Sequence, residues 1–240
     1  MSISTRLSIA WAPAFAHSEP TDTLVLTGKT YFVDQRLSLP PRPRTDHCAL
    51  SECTISWAFG GTRASEPIPN KPGHSKCSWT HLISSAALAN GPATDEGEMQ
   101  PHPDHPDDDE IALETGTMCN PETGVLTAYQ EVWRDRVPAT GSPVAFWEQG
   151  DNDNGADGRG LVAIVGDYAL GVGRLGGEFW SWRAARPSGE IWTIVFEVGN
   201  RVSGRGLLEL NIAKVAVGQP APAGGEKPWV CREVWMVNRD

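Results

Sequence analysis

Polar and apolar residues alternate along much of the chain, and this pattern predicts β-strands. The clearest case is the segment 125–135, whose side chains divide between two faces because successive residues of a strand point to opposite sides of the sheet. One face carries Tyr129, Glu131 and Trp133, and the other carries Ala128, Val132 and Arg134. We expect the first face to point into a barrel, since its two aromatic rings suit an interior.

Similar short segments recur through the whole chain, bounded by Gly, Pro, Asn or Asp, and no helical periodicity extends far enough to predict a helix. The predicted strands of the first half are Leu7–Trp11, Thr23–Thr27, Tyr31–Leu37, Thr54–Phe59, Cys77–Ser84, Ile111–Thr117 and Val125–Asp135. Those of the second half are Val144–Glu148, Gly160–Val165, Tyr168–Val172, Phe179–Arg183, Ile191–Val198, Leu207–Leu210, Ala213–Val217 and Trp229–Val237.

This arrangement predicts an all-β protein with two antiparallel β-barrels in tandem. Pro138, Gly141 and Pro143 interrupt the pattern and mark the boundary, giving an N-terminal barrel domain over 1–137 and a C-terminal barrel domain over 143–240. A length of 240 residues allows two domains of ordinary size. A single two-sheet sandwich is the alternative architecture.

Charge and composition exclude several classes of partner. The formal net charge is −10, and no cluster of Lys and Arg could follow a phosphate backbone, so we expect no nucleic acid and no anionic membrane surface as a partner. No apolar run is long enough for a transmembrane helix. The apolar stretch after Arg6 imitates a secretory signal, but Pro13 interrupts it and its alternation favours a first strand.

The cysteines favour the cytoplasm. Five are present, widely spaced and without a C-x-x-C pair, which suits reduced thiols better than a disulfide framework or a zinc site. The run His102–Glu110 offers imidazole and carboxylate ligands, yet its prolines and acidic residues are typical of a solvated loop. Motifs for phosphate loops, dinucleotides, nucleophile elbows and zinc proteases are missing. We therefore expect no metal and no cofactor.

The candidate site combines aromatic and ionisable residues. His81 follows Trp79 on the same strand face, as Tyr129 and Glu131 lie on the face of Trp133, so imidazole, phenol and carboxyl groups could meet in one space. We assign catalytic roles to Glu131, His81 and Tyr129, and substrate contacts to Trp57, Phe59, Trp79, Trp133, Arg134 and Phe146. Burial would raise the pKa of a carboxyl there toward that of a general acid. Alternatively, Glu131, Arg134 and Asp135 form an ion-pair cluster at the barrel rim.

Several segments resemble, in order, the Hri-type (Hrr-kinase-interacting) protein family of fungi. They are Glu19–Gly28, Trp57–Thr62, Trp79–His81, Asp95–Met99, Glu114–Met118, Asn120–Gly124, Tyr129–Asp135 and Gly160–Tyr168. The resemblance implies an intracellular protein with two calycin-like (lipocalin-like) barrels, and it carries no accepted catalytic motif. It also suggests a member recruited to secondary metabolism, because some fungal calycin-like proteins catalyse pericyclic reactions without a cofactor.

Two functions from different classes follow. The first is a cofactor-free cyclase that dehydrates a hydroxylated polyketide or terpenoid and steers a hetero-Diels–Alder closure, with Glu131 or His81 as the acid and proximity as the main contribution. The second is a non-catalytic protein that binds a protein partner or a small apolar ligand; a homodimer is also compatible with the sequence. A cavity of roughly 300 Å³ or more with convergent polar groups would favour the enzyme, and filled barrels the interaction protein.

Overall fold

The fold is described from a computed structural model, over residues 1–39, 54–86, 93–150, 158–187, 191–200, 202–221 and 227–238. It is an all-β protein, as predicted, with fifteen strands in two sheets. No helix in these ranges is long and apolar enough to cross a membrane.

The first eight strands form a closed antiparallel barrel in sequence order, with β8 pairing back to β1. They are β1 (Ser2–Trp11), β2 (Thr21–Thr27), β3 (Tyr31–Ser38), β4 (Thr54–Pro67), β5 (Ser75–Ser84), β6 (Ala93–Pro101), β7 (Ile111–Cys119) and β8 (Leu126–Arg136). Closure removes the exposed strand edges. The predicted N-terminal barrel is therefore present.

The remaining strands form one seven-stranded sheet in the order β13-β12-β11-β10-β9-β15-β14. They are β9 (Pro143–Gln149), β10 (Gly160–Val165), β11 (Tyr168–Leu175), β12 (Glu178–Ala185), β13 (Thr193–Val198), β14 (Pro220–Ala221) and β15 (Trp229–Met236). This sheet is not closed, so the structure does not show the predicted second barrel. One of its edges is β14, a strand of two residues that begins with Pro220, and proline at an edge limits further pairing.

Both faces of the open sheet are covered, which explains why its central strands are apolar throughout. β10 is buried at all six positions. One face packs against the outer wall of the barrel, where Leu24, Leu26 and Val33 contact the cluster that contains Phe146 and Leu161. The other face forms a separate core with Trp147, Trp180, Trp182, Trp229 and Leu207.

Three predictions of secondary structure were wrong. Strand β6 was missed, because its sequence is acidic and polar on both faces. The segments predicted as strands at Leu207–Leu210 and Ala213–Val217 instead contain two 3₁₀ helices, Arg205–Glu209 and Ile212–Lys214, which help to cover the second core. Short apolar segments of this kind do not distinguish a strand from another buried element by period alone.

Candidate functional site

A cavity of about 340 Å³ occupies the interior of the barrel and receives side chains from all eight of its strands. Six aromatic side chains line it, namely Phe32, Trp57, Phe59, Trp79, Tyr129 and Trp133. The ionisable groups in the lining are Asp34, Arg36, Arg63, His81, Asp95, Glu96, Asp109, Glu114, Glu131, Asp135 and the N-terminal Met1. The cavity thus combines an aromatic wall with an unusual density of carboxyl groups.

The strand register brings these residues together. Side chains directly opposite each other on paired strands share a face. Arg36 of β3 pairs with Trp57 of β4, and Glu114 of β7 pairs with Glu131 of β8. Most strands therefore contribute alternate residues to the lumen, whereas β6 and β7 each also contribute two adjacent residues.

The predicted orientation of the segment 125–135 is confirmed. Tyr129, Glu131 and Trp133 are 5%, 1% and 6% exposed, and all three line the cavity. The other predicted residues that line it are His81, Trp57, Phe59 and Trp79.

Two residues of the predicted substrate-binding set lie elsewhere. Arg134 alternates with the lumenal residues of β8 and is not part of the lining. Phe146 packs in the core between the open sheet and the outer wall of the barrel. Neither residue lines this cavity, and Phe146 belongs to the sheet whose face the barrel wall covers.

Glu131 is a buried anion held by two arginines rather than part of a rim cluster with Arg134. Its Oε1 accepts hydrogen bonds from Arg6 Nη1 at 2.5 Å and from Arg36 Nη1 at 3.2 Å. Arg6 also pairs with Glu19 at 2.8 Å. Glu131 therefore forms ion pairs with two guanidinium groups inside the barrel.

Arg36 extends into the lumen against the aromatic wall. Its guanidinium lies 5.2 Å from the ring centroid of Trp57 and 5.5 Å from that of Phe59. It also donates to Asp34, with the shortest contact at 2.9 Å. Burial raises the pKa of Asp34, and the charge of Arg36 opposes that shift. The aromatic wall therefore already stabilises one buried cation.

Glu114 is the lumenal carboxyl whose pKa suits a proton donor near neutral pH. It is 7% exposed, and its Oε1 accepts a hydrogen bond of 2.5 Å from the Tyr129 hydroxyl. Burial, and then the neighbouring charge of Glu131, raise the pKa of Glu114 to about 8. Burial and Glu114 also raise the pKa of Tyr129. With this pKa, Glu114 is mostly protonated at neutral pH. It therefore has the raised pKa that was predicted for Glu131 from the sequence.

Two glycines make room for this pair of residues. Gly97 of β6 and Gly116 of β7 are cross-strand partners. An added Cβ at Gly116 would lie 2.6 Å from the Tyr129 hydroxyl oxygen, and one at Gly97 would lie 3.0 Å from Glu114 Oε1. The missing side chains therefore allow the phenol and the carboxyl to meet at the barrel wall.

The hydrogen-bonded pairing between β6 and β7 ends at these glycines. The pairing of β6 with β7 covers only 97–101 and 112–116, so the start of β6 pairs with β5 alone and the end of β7 with β8 alone. Asp95 and Glu96 line the cavity on one side of this division, and Thr117 and Met118 line it on the other. The cavity therefore extends to the place where β6 and β7 are no longer paired, and the acidic side chains there are Asp95 and Glu96.

A buried polar atom in the lining, His81 Nε2, has no hydrogen-bond partner within the described residues. His81 is 2% exposed and stacks on Phe59 with ring centroids 4.2 Å apart. Its Nε2 lies 3.2 Å from Asp95 Oδ2, but the angles do not make a hydrogen bond. Unsatisfied buried polar atoms are rare in proteins and point to a missing partner.

The structure bears on the predictions about metal ligands and thiols only for the residues that it describes. Within the described ranges, no group of three or more His, Cys, Asp and Glu side chains is placed to hold a metal ion. Cys77, Cys119 and Cys231 are free thiols. Cys48 and Cys53 lie outside the described residues.

Four charged residues that shape the lumen were not predicted from the sequence, namely Arg6, Asp34, Arg36 and Glu114. A signal for two of them was present, because Phe32, Asp34 and Arg36 alternate on one face of β3. Charges on the face of a strand that also carries an aromatic residue indicate a polar interior rather than a solvated surface. Glu114 gave no comparable signal, since its cross-strand neighbour Glu131 is known only from the fold.

Comparison with known proteins gives one match. The family described as Protein HRI1 matches residues 2–233. No curated protein and no solved structure matches the chain significantly. The match extends over the barrel and nearly all of the open sheet, and it agrees with the resemblance read from the barrel segments. The chain belongs to the Protein HRI1 family.

Proposed function

We propose that the barrel binds a small organic molecule in its lumen. The observation that carries this proposal is the cavity of about 340 Å³ with an aromatic wall and a buried imidazole atom, His81 Nε2, that has no hydrogen bond. Ligand sites are typically apolar cavities of about 300–1,000 Å³ with a few convergent polar groups. A bound molecule would contact the rings and satisfy the buried imidazole.

The same site supports acid catalysis without a cofactor, with Glu114 in the role first assigned to Glu131. A general acid works best when its pKa lies near the working pH, and burial raises the pKa of Glu114 to about 8. Tyr129 donates to one oxygen of Glu114, which leaves the other for the acidic proton. Glu131 has a structural role instead, because its ion pairs with Arg6 and Arg36 link β8 to β1 and β3.

The reaction we propose is the dehydration that precedes a cyclisation. Glu114 transfers its proton to a substrate hydroxyl, the C–O bond breaks with its electron pair on oxygen, and water leaves. The carboxylate of Glu114 then accepts a proton from a phenolic or enolic hydroxyl of the substrate, which yields a neutral diene and restores the acid. The aromatic wall holds this diene against an alkene for a hetero-Diels–Alder closure, where proximity can contribute several kcal/mol, roughly 7–11 at most.

Within the proposal, the alternative function is a non-catalytic protein that presents its surface to a protein partner. A lumen filled by side chains would support it. The cavity supports a small-molecule ligand instead, and it does so whether or not the ligand is transformed. Fungal secondary metabolism as the setting and the cytoplasm as the location belong to the same proposal.

Binding in the lumen can be tested with the neutral fluorophore N-phenyl-1-naphthylamine. We expect binding that Trp79→Ala weakens by at least fivefold, because Trp79 lines the cavity. Trp192→Ala is the matched control, since Trp192 packs against the second core. Equal dissociation constants for both variants and the wild type would place the fluorophore outside the lumen and contradict the proposal.

Catalysis can be tested with hydroxylated polyketide–terpene precursors, by mass spectrometry of the products. We expect loss of water with adduct formation, and Glu114→Gln should lower the rate by roughly 10²–10⁴, the usual contribution of a positioned proton donor. Glu98→Gln is the control, because Glu98 lies on the same barrel outside the cavity lining. A Glu114→Gln variant with normal turnover would remove Glu114 as the acid.

A further inference from the structure

Resting on the proposed function, we infer that the lumen recognises positive charge carried on an apolar body. The cation is either an ammonium ligand or the species that forms when water leaves a substrate. Four features of the cavity carry this inference. They are the excess of acidic groups, the aromatic wall, the carboxyl of Glu114, which has no ion pair, and the imidazole of His81, whose Nε2 has no hydrogen bond.

The lining is rich in acidic groups. It contains seven carboxyl side chains, from Asp34, Asp95, Glu96, Asp109, Glu114, Glu131 and Asp135, against the two guanidinium groups of Arg36 and Arg63 and the N-terminal amine. Deeper in the barrel, Arg6 is already paired with Glu19 and Glu131. Asp95, Glu96 and Asp109 are the more exposed of these carboxyl groups, and Glu96 pairs with Lys76. The excess of acidic groups still favours a cation over an anion, and the buried carboxyl groups contribute most because solvent screens them least.

Two of the arginines, Arg36 in the lining and Arg6 beside it, are paired with carboxylates other than Glu114. Arg36 pairs with Asp34 and Glu131, and Arg6 pairs with Glu19 and Glu131. Among the described residues Glu114 has no ion pair; Tyr129 and Trp133 are its side-chain hydrogen-bonding neighbours. A ligand cation would supply a countercharge once Glu114 ionises.

The unpartnered imidazole is an independent indication of a bound group. His81 Nε2 is buried, has no hydrogen bond, and lies 3.2 Å from the carboxylate of Asp95. An ammonium group beside these two residues can donate to the imidazole nitrogen and to the carboxylate at once. The rings that line the cavity would contact the apolar body and add cation–π attraction, as they already do for Arg36.

Binding of a cation would couple to the ionisation of Glu114. The titratable and charged groups that act on it are Glu131 and Tyr129 from β8 and Arg36 from β3. Before binding, Glu114 is protonated at neutral pH; beside a ligand cation it would release that proton. The proposed dehydration has the same end state, a carboxylate of Glu114 facing a cationic skeleton.

Three probes with the same body test the inference, namely 2-phenylethylamine, 2-phenylethanol and phenylacetate. Binding to the whole protein is measured by calorimetry at pH 7 in buffers of different ionisation enthalpy. We expect the amine to bind at least tenfold more tightly than the alcohol, and the carboxylate most weakly. Binding of the amine should release most of a proton at pH 7 and clearly less at pH 8.5, because a pKa of about 8 leaves Glu114 largely protonated at pH 7 and partly ionised at pH 8.5 before binding.

Two variants test whether Glu114 causes the preference for the amine and the release of the proton. Glu114→Gln should weaken the amine at least tenfold and abolish proton release while changing the alcohol less than threefold; Glu98→Gln should change neither. Equal affinity for amine and alcohol, or amine binding without proton release in the wild type, would overturn the inference while leaving lumenal binding intact. Probes that bind equally to the wild type and to Trp79→Ala would overturn both. Amine binding that inhibits dehydration assigns the cation to the reaction, and amine binding without any dehydration assigns it to an ammonium ligand.

Discussion

Neutralising Glu114 should change how the stability of the protein depends on pH. The pKa of this carboxyl is raised from 4.5 to about 8 by burial and by Glu131. The folded state therefore binds the proton more tightly than the unfolded chain does. Stability is highest when Glu114 is protonated, and it falls as the pH rises from about 4.5 through about 8.

The magnitude follows from the size of the shift. One pKa unit corresponds to about 1.4 kcal/mol, so Glu114 alone should cost the wild type about 2 kcal/mol of unfolding free energy between pH 6 and pH 8. In Glu114→Gln this contribution is removed, while the amide oxygen can still accept the hydrogen bond from Tyr129. The variant should be more stable than the wild type at pH 8, and the difference should shrink toward pH 5.

Urea denaturation of both proteins at several values of pH measures this difference. Burial also raises the pKa of Asp34 and of Asp135, so the wild-type curve alone mixes several groups. The difference between the two proteins isolates Glu114. Parallel stability curves over pH 5–8 would refute the reasoning, because they would mean that Glu114 titrates alike in the folded and unfolded states.

Three further predictions concern other parts of the molecule. Glu131→Gln should destabilise the fold by about 1–3 kcal/mol in chemical denaturation, because it removes the charge that Arg6 and Arg36 share while each arginine keeps one other carboxylate; a variant as stable as the wild type would contradict this. Glu233→Ala should cost about 2 kcal/mol, since this carboxylate accepts three backbone N–H groups of Lys29–Tyr31 and joins the open sheet to the barrel; the exposed Glu178→Ala should cost little. Ligand binding or activity should persist after exhaustive chelation, and a thiol titration in denaturant without reductant should count five thiols. Recovery of lost function by added zinc, or a count of three or fewer, would remove those two expectations.

Local alternation explains why the strand elements could be predicted so well from the sequence. Gly160–Val165 was predicted with the bounds that the structure shows, and the faces of Tyr129, Glu131 and Trp133 followed from the period of two residues. A strand fixes the side of each residue without reference to its neighbours. Aromatic residues on the inner face then indicated a lumen.

The closure of only one sheet was decided by tertiary structure. Both halves have alternating or apolar short strands, and nothing local separates a barrel strand from a strand of a sheet buried on both faces. In the second half the sheet packs with one face on the barrel wall and covers the other with Leu207 and Leu208 from a 3₁₀ helix. This packing buries the apolar faces without closure, and it places Phe146 in a core.

The pairing of the lumenal carboxyl groups was also decided by tertiary structure. The sequence by itself determined that Glu131 faces inward, but the partners of a buried carboxyl depend on its neighbours in space. Glu131 lies 125 residues along the chain from Arg6 and 95 from Arg36, and it forms ion pairs with both. Glu114 lies opposite Glu131 across the β7–β8 pair with no cation of its own, so burial and the adjacent charge give it the proton. Period and composition describe one strand at a time, whereas charge balance in the lumen is a property of all eight.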